Sequence, residues 1–183
     1  MLQYDGLMQI DADGVPQNWL ADSIEVSEDA TVYTVELVEG VTWHDGEPLT
    51  ADDVVFTYEY FPANPAASRF ARDLNSVESV EATDELTVEI TLGAPNPSFP
   101  LQALADVPII PEHVWSKVDD PEKFRGRQAV MSTGPYHLKE HDPGAKSYLY
   151  EANEDYFLGT PVVRRMEFVP AKDELLALSL IHI

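Results

Sequence analysis

His44 and Asp45 stand side by side in "GVTWHDGEPLTADDVVF", Gly40 to Phe56. An imidazole beside a carboxylate is the pairing that general-base catalysis and metal ligation both use. Either chemistry needs more than the pair. A catalytic triad needs a nucleophile, and a zinc site needs three protein ligands within reach. The chain has no cysteine, and no second histidine follows three or four residues after His44. Adjacent residues on an extended segment also point to opposite faces, so the two side chains are poor partners for each other. The pattern therefore reads as scaffold: Asp45-Gly46 makes a tight turn, and His44 packs or hydrogen-bonds locally to hold it. A hydrolase built on His44, Asp45 and a nearby acid stands as the alternative.

Three further groups have suggestive chemistry. His137, Glu140 and His141 share a hairpin and could approach a metal; the spacing fits a solvated polar face better, and no metal site is assigned. Arg69 and Arg72, three apart, could meet a ligand carboxylate but read as a solvated face. Asn96, Pro97, Ser98 and Phe99 form a kinked loop whose amide and aromatic ring could reach a ligand or pack on the first helix.

Several elements must position these groups. In "TVYTVEL", Thr31–Leu37, Tyr33, Val35 and Leu37 share one face, which predicts a half-buried strand. Val38–Trp43 continues as a short strand or an irregular return. Thr50 then caps a helix, with Asp53 at the third helical position reaching back as in a capping box. Asp52 and Asp53 both suit the positive end of the helix dipole. Val54, Val55, Tyr58 and Phe61 recur on one face, and Pro62 is expected to stop the helix. Leu86, Val88, Ile90 and Leu92 alternate with polar residues. With Val77–Glu81 and a turn at Thr83-Asp84-Glu85 they predict a hairpin. A short helix is expected over Leu101–Ala105, and another around Pro111, a residue suited to a first helical turn. Thr133–Leu138 and Lys146–Ala152 flank Asp142-Pro143-Gly144 as a second hairpin. Hairpins dominate and no βαβ rhythm is present, so the fold class is α+β.

Composition narrows the functions. The 183 residues suffice for one domain with a core, or slightly more. Eleven Lys+Arg stand against 33 Asp+Glu, a net charge of −22. A nucleic-acid surface needs clustered positive charge, so no nucleic-acid partner is expected. The acids are spread along the whole chain, which reads as adaptation to high salt more than as one acidic docking patch. The source expected from this is a halophilic archaeon. Without cysteine there is neither a disulfide nor a thiolate metal site. No stretch reaches the roughly 18 to 20 apolar residues of a membrane span.

The segment Trp19–Phe61 resembles the signature region of the solute-binding proteins of ABC transporters, in the peptide/nickel (dipeptide- and oligopeptide-binding) family. There a strand is followed by G-V-x-[WF]-H-D-G-x-P-[LF]-T-A-x-D-V-x-[FY], and Gly40–Phe56 meets every position. "YDGL" at Tyr4, "VPIIPEHVW" at Val107, and "TGPYHL" followed by "NEDYFLGTP" match further family segments in order. The resemblance implies a partial periplasmic-binding-protein-like fold. Residues 1–176 would form part of the N-terminal lobe of a two-lobe protein, and residues 177–183 read as a non-native or truncated tail. It implies extracytoplasmic capture of a solute, a dipeptide or oligopeptide, for an ABC transporter permease. The protein would be a monomer without cofactor or catalysis, anchored at the cell surface or periplasmic, with its leader outside this chain. A module that presents a surface to a receptor is a further alternative. The resemblance places Tyr4, Asp5 and Gly6 near the cleft floor, and Thr133, Gly134 and Tyr136 at the hinge or cleft lining. With Asn96 and Phe99 these are the expected ligand contacts.

Overall fold

The computed structural model describes residues 3–65 and 68–170. The expected tail, 177–183, lies outside the described residues. A four-stranded antiparallel sheet holds the centre. Its strands are β3 (Ala21–Val26), β4 (Val32–Leu37), β5 (Val77–Asp84) and β6 (Thr87–Leu92), in the order β3-β4-β6-β5. The alternation read in the sequence sets its inner face: Tyr33, Val35, Leu37, Val88, Ile90 and Leu92 are all buried. Tyr33 pairs with Ile90 and Val35 with Val88, so the apolar residues meet across the ladder.

Helix α1 (Ala51–Ala63) lies on this face. Its start is as predicted: Thr50 caps, and the Asp53 carboxylate accepts the Thr50 amide at 3.0 Å. Its end differs. Pro62 sits inside the last turn, and the helix stops only at Asn64, whose amide bonds the Tyr60 and Phe61 carbonyls. A proline in a final turn loses a single intrahelical bond, so it shapes the exit without ending the helix earlier.

The β5–β6 hairpin also departs from expectation. β5 runs three residues beyond Glu81, and Leu86 lies in the turn instead of the strand. The turn is tied down from outside: Glu85 O accepts the Ala51 amide and Leu86 O accepts the Leu37 amide, each at 2.8 Å. The helix start and the end of β4 therefore fix where the strand reverses. Val38–Trp43 takes the irregular return, closed by a bridge between Thr42 and Pro48. The expected helix at Leu101–Ala105 is a single wide turn over Pro100–Leu104, with Ala105 N–H bonded to Pro100 O five residues back. Pro111 caps the four-residue helix α2 (Glu112–Trp115).

Two smaller sheets flank the centre. β1 (Met8–Ile10) and β2 (Pro16–Asn18) close over the Asp11–Gly14 turn. The second predicted hairpin is β7 (Tyr136–Asp142) with β8 (Ser147–Ala152), extended by β9 (Arg165–Phe168) into a three-stranded sheet in the order β7-β8-β9. The α+β class stands. No helix among the described residues is long and apolar enough to cross a membrane.

Candidate functional site

Most of the expected ligand contacts meet at one junction, together with His44. There the N-terminal segment, the His44 turn and the approach to β7 come together. The Gly134 amide donates to Gln3 O at 2.9 Å. Its carbonyl accepts from His44 Nε2 at 2.9 Å and from Asn153 Nδ2 at 3.3 Å. The His44 amide donates to Ser132 O at 3.0 Å, and the Asn153 amide to Pro135 O at 2.8 Å. Thr133 Oγ1 donates to Asp5 Oδ2 at 3.2 Å, and Trp19 Nε1 donates to Asp5 Oδ1 at 3.0 Å. Tyr4 Oη donates to Ala129 O at 2.9 Å.

Burial explains why most polar groups here have a partner; Gln3 Nε2 and Tyr156 Oη are the buried exceptions among the described residues. Ser132 and Thr133 are 0% and 2% exposed and Asp5 is 5% exposed, and an unpaired polar atom at that depth is costly. Burial pushes the Asp5 carboxyl above its ordinary range, while the Trp19 and Thr133 hydrogen bonds pull it back. The Tyr4 phenol is pushed up to about 12, chiefly by burial and further by Tyr150. The Tyr156 phenol, buried beside Asp5, is raised by burial and by that carboxylate. The glycines are demanded by packing. A Cβ on Gly134 would overlap the Gln3 backbone, and one on Gly6 would press on Leu104 O at 3.0 Å and Val107 O at 3.1 Å.

His44 is thus held, but not locally as the sequence suggested. Its ring bonds a carbonyl 90 residues away. Because that partner only accepts, Nε2 carries the proton in the neutral ring. Burial, helped by nearby His137, holds the imidazole below its ordinary range, against the pull of the Gly134 carbonyl. Its folded value lies below the unfolded value near 6.5. The stability it contributes is therefore complete above that unfolded value and is lost as pH falls toward the depressed folded one. Urea unfolding is expected to show a steeper loss between pH 7 and pH 5 in the wild type than in His44→Gln. Equal slopes would contradict this placement of the ring.

The arrangement is poor in catalytic potential. Asp45 does not face His44; its Oδ2 lies 2.9 Å from His113 Nε2. Ser132 Oγ is 3.5 Å from His44 Nδ1, yet Ser132 is fully buried and offers no nucleophile to a substrate. Among the described residues, no three of His, Asp and Glu are placed to hold a metal. His137 sits near His44, with ring centroids 5.7 Å apart, while His141 stacks on Tyr148 at 4.5 Å. Arg69 makes a two-pronged, exposed pair with Asp106 at 3.0 and 3.1 Å.

The junction gathers Tyr4, Asp5, Gly6, Thr133 and Gly134, with Tyr136 next in line. Asn96 and Phe99 lie elsewhere. Phe99 is 0% exposed in the core against Tyr33, at 4.9 Å between centroids, and presents no surface to a solute. Asn96 Oδ1 caps the Ser98 amide, and its Nδ2 reaches Ser76. Sequence reasoning missed Trp19 and Asn153 as hydrogen-bond partners, and Tyr156 as a neighbour of Asp5. The last two are the Asn and Tyr of the "NEDYFLGTP" segment, so their spacing was visible although their role was not.

Comparison with known proteins gives a consistent answer. Residues 15–180 match the model of the bacterial extracellular solute-binding proteins, family 5, middle region. A protein of Brucella ovis named as an ABC transporter peptide-binding protein is 36% identical over 151 residues, 80% of this chain and 28% of that protein. The oligopeptide-binding protein AppA of Bacillus subtilis is 34% identical over 145 residues, 78% of this chain and 26% of that protein. The structure of AppA with a nonapeptide superposes with a TM-score of 0.84 at 29% identity, covering 97% of this chain and 36% of AppA. NikZ of Campylobacter jejuni in complex with Ni(L-His) superposes at 0.85 with 28% identity, covering 97% of this chain and 35% of NikZ. The chain thus spans only about a quarter to a third of the relatives it matches.

Proposed function

The chain belongs to the bacterial extracellular solute-binding proteins of family 5, and on that premise we propose that the protein captures a peptide outside the cytoplasm and hands it to an ABC transporter permease. The observation that carries this reading is the family match over residues 15–180, joined to relatives whose names record peptide binding. In this proposal residues 1–176 form part of one lobe, and a monomeric two-lobe protein closes over its ligand by a hinge. It is held at the cell surface or in the periplasm, and it breaks no bond.

Asp5, Gly6, Thr133 and Gly134 act in this account as the frame behind the cleft, since the Asp5 carboxylate, the Thr133 hydroxyl, the Gly6 carbonyl and both backbone groups of Gly134 are bonded within the protein. Tyr4 and Tyr136, both half-buried, keep surface that a solute can touch. The test is native mass spectrometry of the protein expressed from its complete gene, incubated with a mixed pool of short peptides and with Ni(L-His). One-to-one peptide complexes with the pool left intact are expected. Cleaved peptides, or no complex at micromolar peptide, would overturn the reading.

The carboxylate surplus belongs to the same proposal, as an adaptation of an exposed protein to a salt-rich exterior. Mutual repulsion of 33 acids is screened over about 3 Å at molar salt. The melting temperature is expected to rise from low salt to molar KCl; a flat or falling trend would count against it.

A further inference from the structure

Cations are scarce in this chain and unevenly placed. Only Arg69 and Arg72 precede Lys117; the other nine lie from Lys117 onward. Most of those described are spoken for. Arg69, Arg72, Lys123, Lys139, Arg164 and Arg165 each hold a carboxylate at 3.9 Å or less. Arg127 does not, although acids outnumber bases three to one. Among the described residues its guanidinium makes one side-chain hydrogen bond, to Lys139 O at 2.8 Å, which leaves most of its five N–H donors available.

Arg127 borders a cavity of about 250 Å³ lined by His44, Arg127, Val130, Met131, His137 and Leu138. Among the described residues no carboxylate lines it. His137 adds a second polar group without a close partner, since its Nε2 stands 3.9 Å from Glu151 Oε2, beyond hydrogen-bond reach. Glu151 itself is taken by Lys139 and Arg165, each at 2.9 Å. His44 cannot serve as a donor in its neutral form, because Nε2–H is committed to Gly134 O. It contributes a wall. Val130, Met131 and Leu138 make the rest of the lining apolar.

We propose that this cavity is a subsite for a small monocarboxylate with a short apolar tail, the carboxylate on Arg127 and His137 and the tail against Val130, Met131 and Leu138. An arginine fork matches a carboxylate in geometry as well as charge. The cavity is smaller than the roughly 300 to 1,000 Å³ of ordinary ligand pockets, so only a small group fits. One arginine suits a single negative charge; a phosphate dianion would bring more charge and more acceptors than this lining answers, into a chain of net charge −22. The carboxylate can belong to a free short acid or to the C-terminus of a peptide. The inference does not depend on the transport reading.

The test follows the His137 and His44 ring resonances of the 183-residue protein by NMR while sodium butyrate replaces sodium chloride at constant ionic strength. Saturable shifts are expected, with none from butyramide. Arg127→Gln, a change at an exposed position, is expected to weaken the apparent affinity about tenfold, the scale of one lost charge-assisted pair. A dipeptide ending in leucine and its C-terminal amide identify the source. Binding of the free-acid dipeptide alone assigns the site to peptide ends, and binding of butyrate alone assigns it to free acids. Shifts that do not saturate, that butyramide reproduces, or that Arg127→Gln leaves unchanged would overturn the proposal.

Discussion

Asp53→Ala is expected to destabilise the protein by about 3 to 5 kcal/mol, the cost of leaving one buried and two part-buried donors without their carboxylate partner. Asp53 is 5% exposed, and its carboxylate serves three elements at once. Oδ2 accepts the Thr50 amide at 3.0 Å and Trp43 Nε1 at 3.2 Å, while Oδ1 accepts the Glu112 amide at 2.9 Å. The capping box therefore also fastens α1 to the His44 turn, through Trp43, and to the start of α2. Alanine would strand all three donors, two of them on segments that α1 must hold in place. Asp52, exposed in the same first turn, is the control. Its alanine variant loses only a dipole interaction, about 0.3 to 1 kcal/mol. Urea unfolding at one salt concentration measures both. Similar losses for the two variants would show that Asp53 does no more than cap.

Gly134→Val is expected to cost about 3 kcal/mol or more, or to prevent folding, because the side chain would have to enter the space of the Gln3 backbone. Backbone cannot move aside as a flexible side-chain tip can. Relief would require residues 3–7 to lift from residues 132–135, breaking the Gly134 to Gln3 bond and the Thr133 to Asp5 bond together. Gly14→Val supplies the contrast. Gly14 has φ +83° and nothing within 4 Å of an added Cβ, so its cost is conformational strain alone, about 1 to 2 kcal/mol. Comparable melting temperatures for the two variants would contradict the close approach at Gly134.

These two positions show what could be read from sequence and what could not. The capping role of Asp53 was legible because Thr50 and Asp53 are three residues apart and the helix period fixes their meeting. Its bonds to Trp43 and Glu112 were not, since they depend on how loops pack against α1. The central strands β4 and β6 were legible because one face of each is buried and the other is not, which leaves alternation in the sequence. β3 carries no such signal: its residues Ala21–Val26 have one buried position and a mostly exposed remainder at the sheet edge. β9 is four residues with none buried. Leu86 kept the alternating rhythm and still went to a turn, because the start of α1 and the end of β4 claim the carbonyls there.

The candidate site was legible as a set of motifs and not as an arrangement. "YDGL", "WHDG" and "TGPY" each announced themselves. Nothing in their spacing said that Asp5, His44 and Gly134 would meet, or that the meeting would consume their polar atoms. Phe99 shows the limit from the other side: an aromatic on a proline-rich loop looks available to a ligand, while the fold turns it into the core against Tyr33.

The central claim is that the residues with the most chemical promise, His44 above all, build the binding protein and do not act on its ligand. The most direct measurement is calorimetric titration of a bound peptide into the wild type and into His44→Ala, both expressed from the complete gene. The account predicts dissociation constants within about threefold, less than about 0.7 kcal/mol, with the variant melting at lower temperature. Loss of binding in a variant that remains folded, or heat from peptide cleavage that disappears with His44, would contradict it.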